Sequence, residues 1–297
     1  MKRDRVSVAA IRLFALLGAL LTLSAAAAAE RPSRIVSMNL CTDQLLLLLA
    51  DRAHIASLSY LAANPRASAM ADDARGIHLN HGLAEEILPL EPDLVIAGAF
   101  TTRPTVFLLR KLGYRVIDQP VANTLDDVRA NIRRIATAIG ETARGEALIA
   151  AFDTRLAALP PPQGRAPRTA LYWANGFTSG KDTLAQAIVT TAGLHNLAAD
   201  LGISGSWQLP LETLLAANPD ALITGRSRAQ PALANERFRH PALQQRFAGR
   251  PQLQIANKYW ICGTPWVATA IERLAAFRET IQSGTARPDD ADRVSAR

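Results

Sequence analysis

The chain has no run of basic residues interleaved with aromatics, which removes the electrostatic stripe expected of a nucleic-acid binder. It has no G-x-S-x-G elbow, and no Ser, His and acid fall in a recognisable catalytic order; Ser179 beside Gly180 and Lys181 stands alone. The phosphate-cradling P-loop and the dinucleotide fingerprint are also missing. These absences argue against an enzyme and against a resident cofactor. His78 and His81 have an H-x-x-H spacing without a third ligand at a supporting interval, whereas a dedicated zinc or manganese site usually needs three or four ligands. Aromatics make up only 5% of the chain, with four tryptophans, and there are two cysteines, Cys41 and Cys262. Beyond the first thirty residues no apolar run is long enough to cross a bilayer.

What is present begins with an export signal. Lys2, Arg3, Arg5 and Arg12 form a basic start, Leu13 to Ala29 carries no charge, and Ala27 and Ala29 supply a small-x-small cleavage pattern. Cleavage before Glu30 is expected, with a soluble periplasmic product; an uncleaved anchor is the alternative. Loss of residues 1–29 lowers the formal charge from +7 to +4, because four basic residues and Asp4 leave together. No cysteine follows the apolar run before Cys41, so a lipoprotein anchor is not expected. The hydrophobic content of 49% is ample for a packed core.

Short β-rich runs alternate with helical periodicity, which reads as α/β. Strands are expected over Arg34–Met38, His54–Tyr60, Asp93–Ala99 and Arg115–Gln119, then over Arg168–Ala174, Ala221–Gly225 and Gln254–Tyr259. Between the sets lies a long helical region, roughly Leu125 to Leu159, interrupted near Gly140 and ended by Pro160, Pro161 and Pro162. Val128, Ile132, Ile135 and Ile139 share one face, as do Leu148, Phe152 and Leu156. The two sets share a repeat, EEILPLEPDLVIAG at 85–98 and ETLLAANPDALITG at 212–225. Glu85, Leu88, Pro92, Asp93, Ile96 and Gly98 match Glu212, Leu215, Pro219, Asp220, Ile223 and Gly225. A helix with an acidic first turn, a Pro-Asp stop and a buried parallel strand, once per half, predicts two similar lobes. The expected division is a signal peptide at 1–29, an amino-terminal lobe at 30–140, a connecting helix at 141–160, a carboxyl-terminal lobe at 161–285 and a tail at 286–297. A ligand cleft would lie between the lobes.

The order of SMNL, LAEEILPLEPDLVIAG, a long helix, GFTSGKDTL, SWQLPLETLLAANPDALITG and KYWICGTPWVATAIERLA resembles the periplasmic binding proteins of iron-siderophore and cobalamin importers. The resemblance runs essentially from Arg34 to Phe277. It implies two α/β lobes with parallel sheets joined by one long helix, little hinge motion, and a monomer that delivers a small-molecule metal chelate to the transmembrane subunits of an ABC importer. It further implies that Glu85 and Glu212 dock on the importer, with Glu86 the substitute for Glu85; the simpler role is to offset the helix dipole. An exported enzyme or a sensor domain on the same two-lobed fold is the competing reading.

By the same matching, the cleft aromatics are Tyr60, Trp173, Trp207 and Trp266, with Phe100 and Phe177 close by. Aromatic rings bury the flat apolar face of a chelate with little loss of conformational entropy. Arg103, Arg226 and Arg228, beyond the two glycine-ended strands, are candidates for anionic chelate oxygens. The resemblance to the cobalamin protein breaks where its cleft tryptophans become Leu79 and Gly98 and its cleft arginine becomes Trp266. Cys41 and Cys262 fall in expected cleft loops on opposite lobes. They could form a disulfide, remain two thiols, or act as soft ligands to a metal.

Overall fold

A computed structural model describes residues 31–225 and 233–284; the expected signal peptide, Arg226, Arg228 and the tail lie outside these residues. The first half contains β1 (Ile35–Ser37), α1 (Leu40–Leu49), β2 (Ile55–Ser59), β3 (Leu79–Asn80), α2 (Ala84–Ile87), β4 (Leu94–Gly98), α3 (Arg103–Lys111) and β5 (Val116–Gln119). Two helices follow, α4 (Leu125–Ala138) and α5 (Thr142–Ala157). The second half contains β6 (Arg168–Tyr172), β7 (Phe177–Ser179), α6 (Leu184–Thr191), β8 (His195–Asn196), α7 (Leu197–Asp200), β9 (Ser206–Gln208), α8 (Leu211–Ala217), β10 (Ala221–Gly225), α9 (Pro241–Phe247), β11 (Gln252–Ile255) and α10 (Val267–Gln282).

Each half builds its own parallel sheet. The first has strand order β3-β2-β1-β4-β5 and the second β11-β10-β6-β8; β7 and β9 form a separate antiparallel pair. Residues along each central strand alternate between two cores, as a pleated sheet requires. Ile35, Leu94 and Ile96 face one apolar cluster while Val36 and Val95 face another. Leu171, Ala221 and Ile223 return to the first cluster, while Tyr172 and Leu222 enter a third. Burial on both faces explains why these strands read as continuous apolar runs. The shared cluster also takes in Ile132, Ile149, Phe152, Trp260 and Ile271, so one core runs through both halves.

The internal repeat has a mechanical meaning. Asp93 accepts the backbone N–H of Arg34 at 3.1 Å, and Asp220 accepts that of Arg168 at 2.7 Å. Each of these arginines then turns its guanidinium onto a helix-end carbonyl, Leu90 in one half and Ala217 in the other. The Pro-Asp turn therefore clasps the start of the first strand of its sheet, twice.

The interruption expected near Gly140 is present, and the connecting helix expected at 141–160 is α5, Thr142–Ala157. Gly140, at φ +76°, takes the left-handed position that ends α4, and the Glu141 N–H returns to the Ala136 carbonyl at 2.8 Å. α5 then runs back along α4, held by Arg133–Glu146 at 2.7 Å and Arg129–Asp153 at 2.6 Å. The last strand is Gln252–Ile255 rather than Gln254–Tyr259, because Leu222 pairs with Gln252 and the chain turns at Asn257–Tyr259.

Candidate functional site

In each sheet the chain leaves a central strand first to one side and then to the other. The crevice outside the carboxyl ends at such a switch point is where ligands bind in open α/β sheets. The switch lies between β1 and β4 in the first sheet and between β6 and β10 in the second. At the first, Asn39 caps α1 by accepting the Cys41 N–H, and its side chain lies flat against Gly98. A Cβ on Gly98 would stand 2.5 Å from Asn39 Cγ, so the wall here has room for no side chain. Gly225 repeats the arrangement, with Asn257 Oδ1 2.6 Å from where its Cβ would be.

The two carboxyl edges are joined covalently. Cys41, at the start of α1, and Cys262, after β11, form a disulfide with Cα atoms 5.1 Å apart, and the described residues contain no free cysteine. Among the described residues no group of three His, Cys, Asp or Glu could hold a metal ion.

The aromatic residues at these edges divide by exposure. Phe100 after β4 is 88% exposed, Trp207 on β9 is 67% exposed, and Tyr60 and Phe177 are about half exposed. Trp173, directly after β6, is half-buried and meets the buried Trp260 edge-to-face at 5.3 Å. Trp266 is half-buried at the start of α10, with its indole N–H enclosed and unpaired among the described residues. The fold brings Trp173, Phe177 and Trp207 together: Trp173 N–H donates to the Phe177 carbonyl at 2.7 Å, and β7 pairs Thr178 with Trp207. Tyr60 stands on the first sheet, stacked on His81 at 4.9 Å. Leu79 lies on β3 and packs against the shared core.

Arg103 turns one guanidinium nitrogen to the Ala99 carbonyl at 2.8 Å and another to Asp118 at 3.7 Å, and its side chain stays largely exposed. Glu85 and Glu212 are exposed in the first turns of α2 and α8, and neither carboxylate has a hydrogen bond or ion pair to another described residue. Glu86 is committed elsewhere: its carboxylate takes the His81 backbone N–H at 2.6 Å and the ring Nδ1 at 2.9 Å. Those bonds hold its pKa below the ordinary glutamate value.

One buried acid escaped the sequence reading. Asp43, fully enclosed in α1, accepts the Ser59 N–H at 3.0 Å and the Ser59 hydroxyl at 2.5 Å, just behind Tyr60. Burial pushes its pKa up to about 7, against the pull of hydrogen bonds from Ser37 and Ser59. Asn80 completes the layer, donating to the Ser37 and Leu58 carbonyls and to Ser57 Oγ. A cavity of about 580 Å³ lies at the opposite, amino end of the second sheet, lined by Arg165, Asp220 and Arg250. Its charges serve the clasp, Arg165 to Asp220 at 2.9 Å and Arg250 to the Pro219 carbonyl at 2.7 Å.

Two parallel sheets with aromatic-lined carboxyl edges, tied at one point, define a bilobed binding protein of the helix-connected class. The chain belongs to the periplasmic binding protein family, whose sequence profile matches residues 35–253. It is 28% identical over 201 residues to a protein named as a cobalamin-binding protein in Halobacterium salinarum, a match covering 66% of this chain and 54% of the relative. The chain thus spans about half the length of that relative. Its fold is that of the periplasmic heme-binding protein RhuT from Roseiflexus, with TM-score 0.69 and 23% identity over 84% of this chain and 99% of the other. The vitamin B12 binding protein BtuF of Vibrio cholerae gives TM-score 0.61 and 19% identity over 85% and 98%. The family is one of binding proteins, in agreement with the reading that the chain is not an enzyme.

Proposed function

We propose that this chain captures a metal chelate, a ferric siderophore or a corrinoid, between its two sheets and delivers it to the transmembrane subunits of an ABC importer. The carrying observation is the set of exposed rings, Tyr60, Phe100, Phe177 and Trp207, at the carboxyl edges of two sheets joined by a disulfide. Large planar or apolar ligand faces are what such rings cover. Arg103 keeps donors available at the same edge, and Arg226 is assigned the same role from its place in the sequence. Trp173 and Trp266 shape the wall from their half-buried positions. Ferric siderophores are preferred over cobalamin, because Gly98 is filled by Asn39 and Leu79 is packed inward. The metal arrives with the ligand and no resident cofactor is assigned. Residues 1–29 act as the signal peptide and the mature monomer works in the periplasm.

The test is tryptophan fluorescence against a panel of iron chelates, haem and cobalamins, checked by calorimetry. At least one should bind with a dissociation constant of about 1 μM or tighter, about −8 kcal/mol. Trp207→Ala should weaken it by roughly tenfold or more, as loss of an aromatic anchor does. Tight binding of free zinc, a sugar or a peptide, with no chelate bound, would overturn this ligand class.

Glu85 and Glu212 are assigned to docking, since each is exposed and uncommitted in the first turn of its helix. In reconstituted uptake, Glu85→Ala with Glu212→Ala should abolish transport while ligand affinity changes less than about twofold. Each exposed pair contributes under about 1 kcal/mol, so the single variants should be mild. Normal transport by the double variant would leave both residues as helix-end charges.

A further inference from the structure

Strands β2 and β3 are neighbours, with Leu58 opposite Leu79 and Ser59 opposite Asn80. The next residues, Tyr60 and His81, therefore leave the sheet edge side by side. Their rings stack at 4.9 Å with planes 23° apart, and both remain exposed, Tyr60 at 50% and the His81 side chain at 61%. From behind, His81 is gripped twice by one carboxylate, through its backbone N–H and its Nδ1, both on Glu86. Glu86 belongs to α2, a helix of four residues whose N-cap, Leu83, offers no side-chain bond. The Glu86 grip thus helps hold the start of the helix that carries Glu85, alongside the buried Ile87. Three contacts lead from an exposed cleft ring to that helix.

The other half reaches the same result by a different route. Trp207 stands on β9, and Leu209 is buried with its N–H on the Gly176 carbonyl at 2.9 Å. Pro210 then begins α8, whose first turn holds Glu212. An exposed aromatic stands just ahead of the acidic helix in both halves.

We propose that the Tyr60–His81–Glu86 contacts report occupancy of the cleft to α2, with His81 the positioning residue for Glu85. This rests on the docking role given to Glu85 above. A ligand face covering Tyr60 and His81 removes water from the His81–Glu86 pair, and a charged or dipolar pair strengthens as its surroundings dry. A tighter grip holds the short helix, and Glu85 with it, in one attitude. The liganded protein then offers the importer a better-ordered contact than the empty one.

Hydrogen exchange of the amides of residues 84–88 tests this, read against those of β4 so that global loosening is discounted. In the free protein, Tyr60→Ala and His81→Ala should each speed exchange there by about fivefold, while Val121→Ala, at an exposed site elsewhere, should not. Wild-type exchange in Tyr60→Ala would overturn the coupling, since a helix-capping role of Glu86 alone does not need that ring. A second arm adds cyanocobalamin, haem or ferrichrome at saturation. Exchange over 84–88 should slow in the wild type and not in His81→Ala. A chelate that binds without slowing it overturns the proposal. Failure of all three to bind counts against the ligand class alone, and the free-protein arm still decides the coupling.

Discussion

Reduction of the Cys41–Cys262 bond is expected to lower the unfolding free energy by about 5 kcal/mol and the melting temperature by roughly 10–20 °C. The size follows from the chain length that the bond closes, a separation of 221 residues, because a longer loop has more unfolded-state freedom to lose. The native fold should survive, since the shared apolar cluster joins both sheets without help from sulfur. Scanning calorimetry with and without a dithiol reductant reads the effect. Cys41→Ser with Cys262→Ser should melt where the reduced wild type does and ignore the reductant. A melting temperature that does not respond to reductant, in protein shown by alkylation to have lost the bond, would reject this account.

The second large effect belongs to Asp43. Folding raises its pKa from the ordinary 3.8 to about 7, so between these values the folded protein holds a proton that the unfolded chain has released. Stability from this residue is therefore full below about pH 4 and falls as pH rises through about 7. At 1.36 kcal/mol per unit of pKa, the interval sets a ceiling of about 4 kcal/mol, and partial relaxation in the charged state will reduce it. Asp43→Asn keeps the acceptor for the Ser59 N–H and, like the protonated acid, donates to a serine hydroxyl. Urea titrations from pH 4.5 to 8 should show the wild type losing stability relative to Asp43→Asn, with the variant ahead at pH 8. The carboxylates of Asp51, Glu86, Asp127, Glu146 and Asp200 are shifted the other way by their partners. Their contributions are lost from about pH 5 downward, equally in both proteins, so the difference between the two curves reports Asp43. Parallel curves for the two proteins would mean that Asp43 is charged and compensated where it sits.

Much of the fold was legible because burial leaves a mark on composition. Leu94–Gly98 and Ala221–Gly225 are buried on both faces, so they stand out as apolar runs between turn residues. Leu125–Ala138 announces itself by the spacing of Val128, Ile132 and Ile135, all buried. Strands β3, β7, β8 and β9 have two or three residues each; they exist because a neighbour offers hydrogen bonds, which no local pattern records. The break at Gly140 was readable, but periodicity carries no direction, so the fold-back of α5 was not. In the site, position after a strand was enough to select Tyr60, Phe100 and Trp173. It could not separate the exposed Phe100 from the half-buried Trp173, because Trp260 arrives from a residue 87 positions later. Asp43 was hidden in the leucine-rich segment LCTDQLLLLL, where an acid reads as ordinary first-turn decoration. The repeat with Glu212 selected Glu85 over Glu86, but the two bonds from His81 that occupy Glu86 left no mark in the sequence.

The bond between Cys41 and Cys262 also sets an order of events in biosynthesis. A chain made at ~5–20 residues per second takes on the order of 10–45 s to add the 221 residues that separate the two cysteines. All of β1 to β5 is complete well before Cys262 exists. Cys41 must wait through that interval as an unpaired thiol beside a half-built molecule. A disulfide it meets first, of another chain or of a small molecule, exchanges with it to a mixed disulfide and releases a thiol, a product that later exchange has to undo. The last covalent link is therefore the step most sensitive to expression rate and to the supply of a disulfide isomerase. Slowing synthesis should raise the share of molecules trapped with Cys41 joined to the wrong thiol.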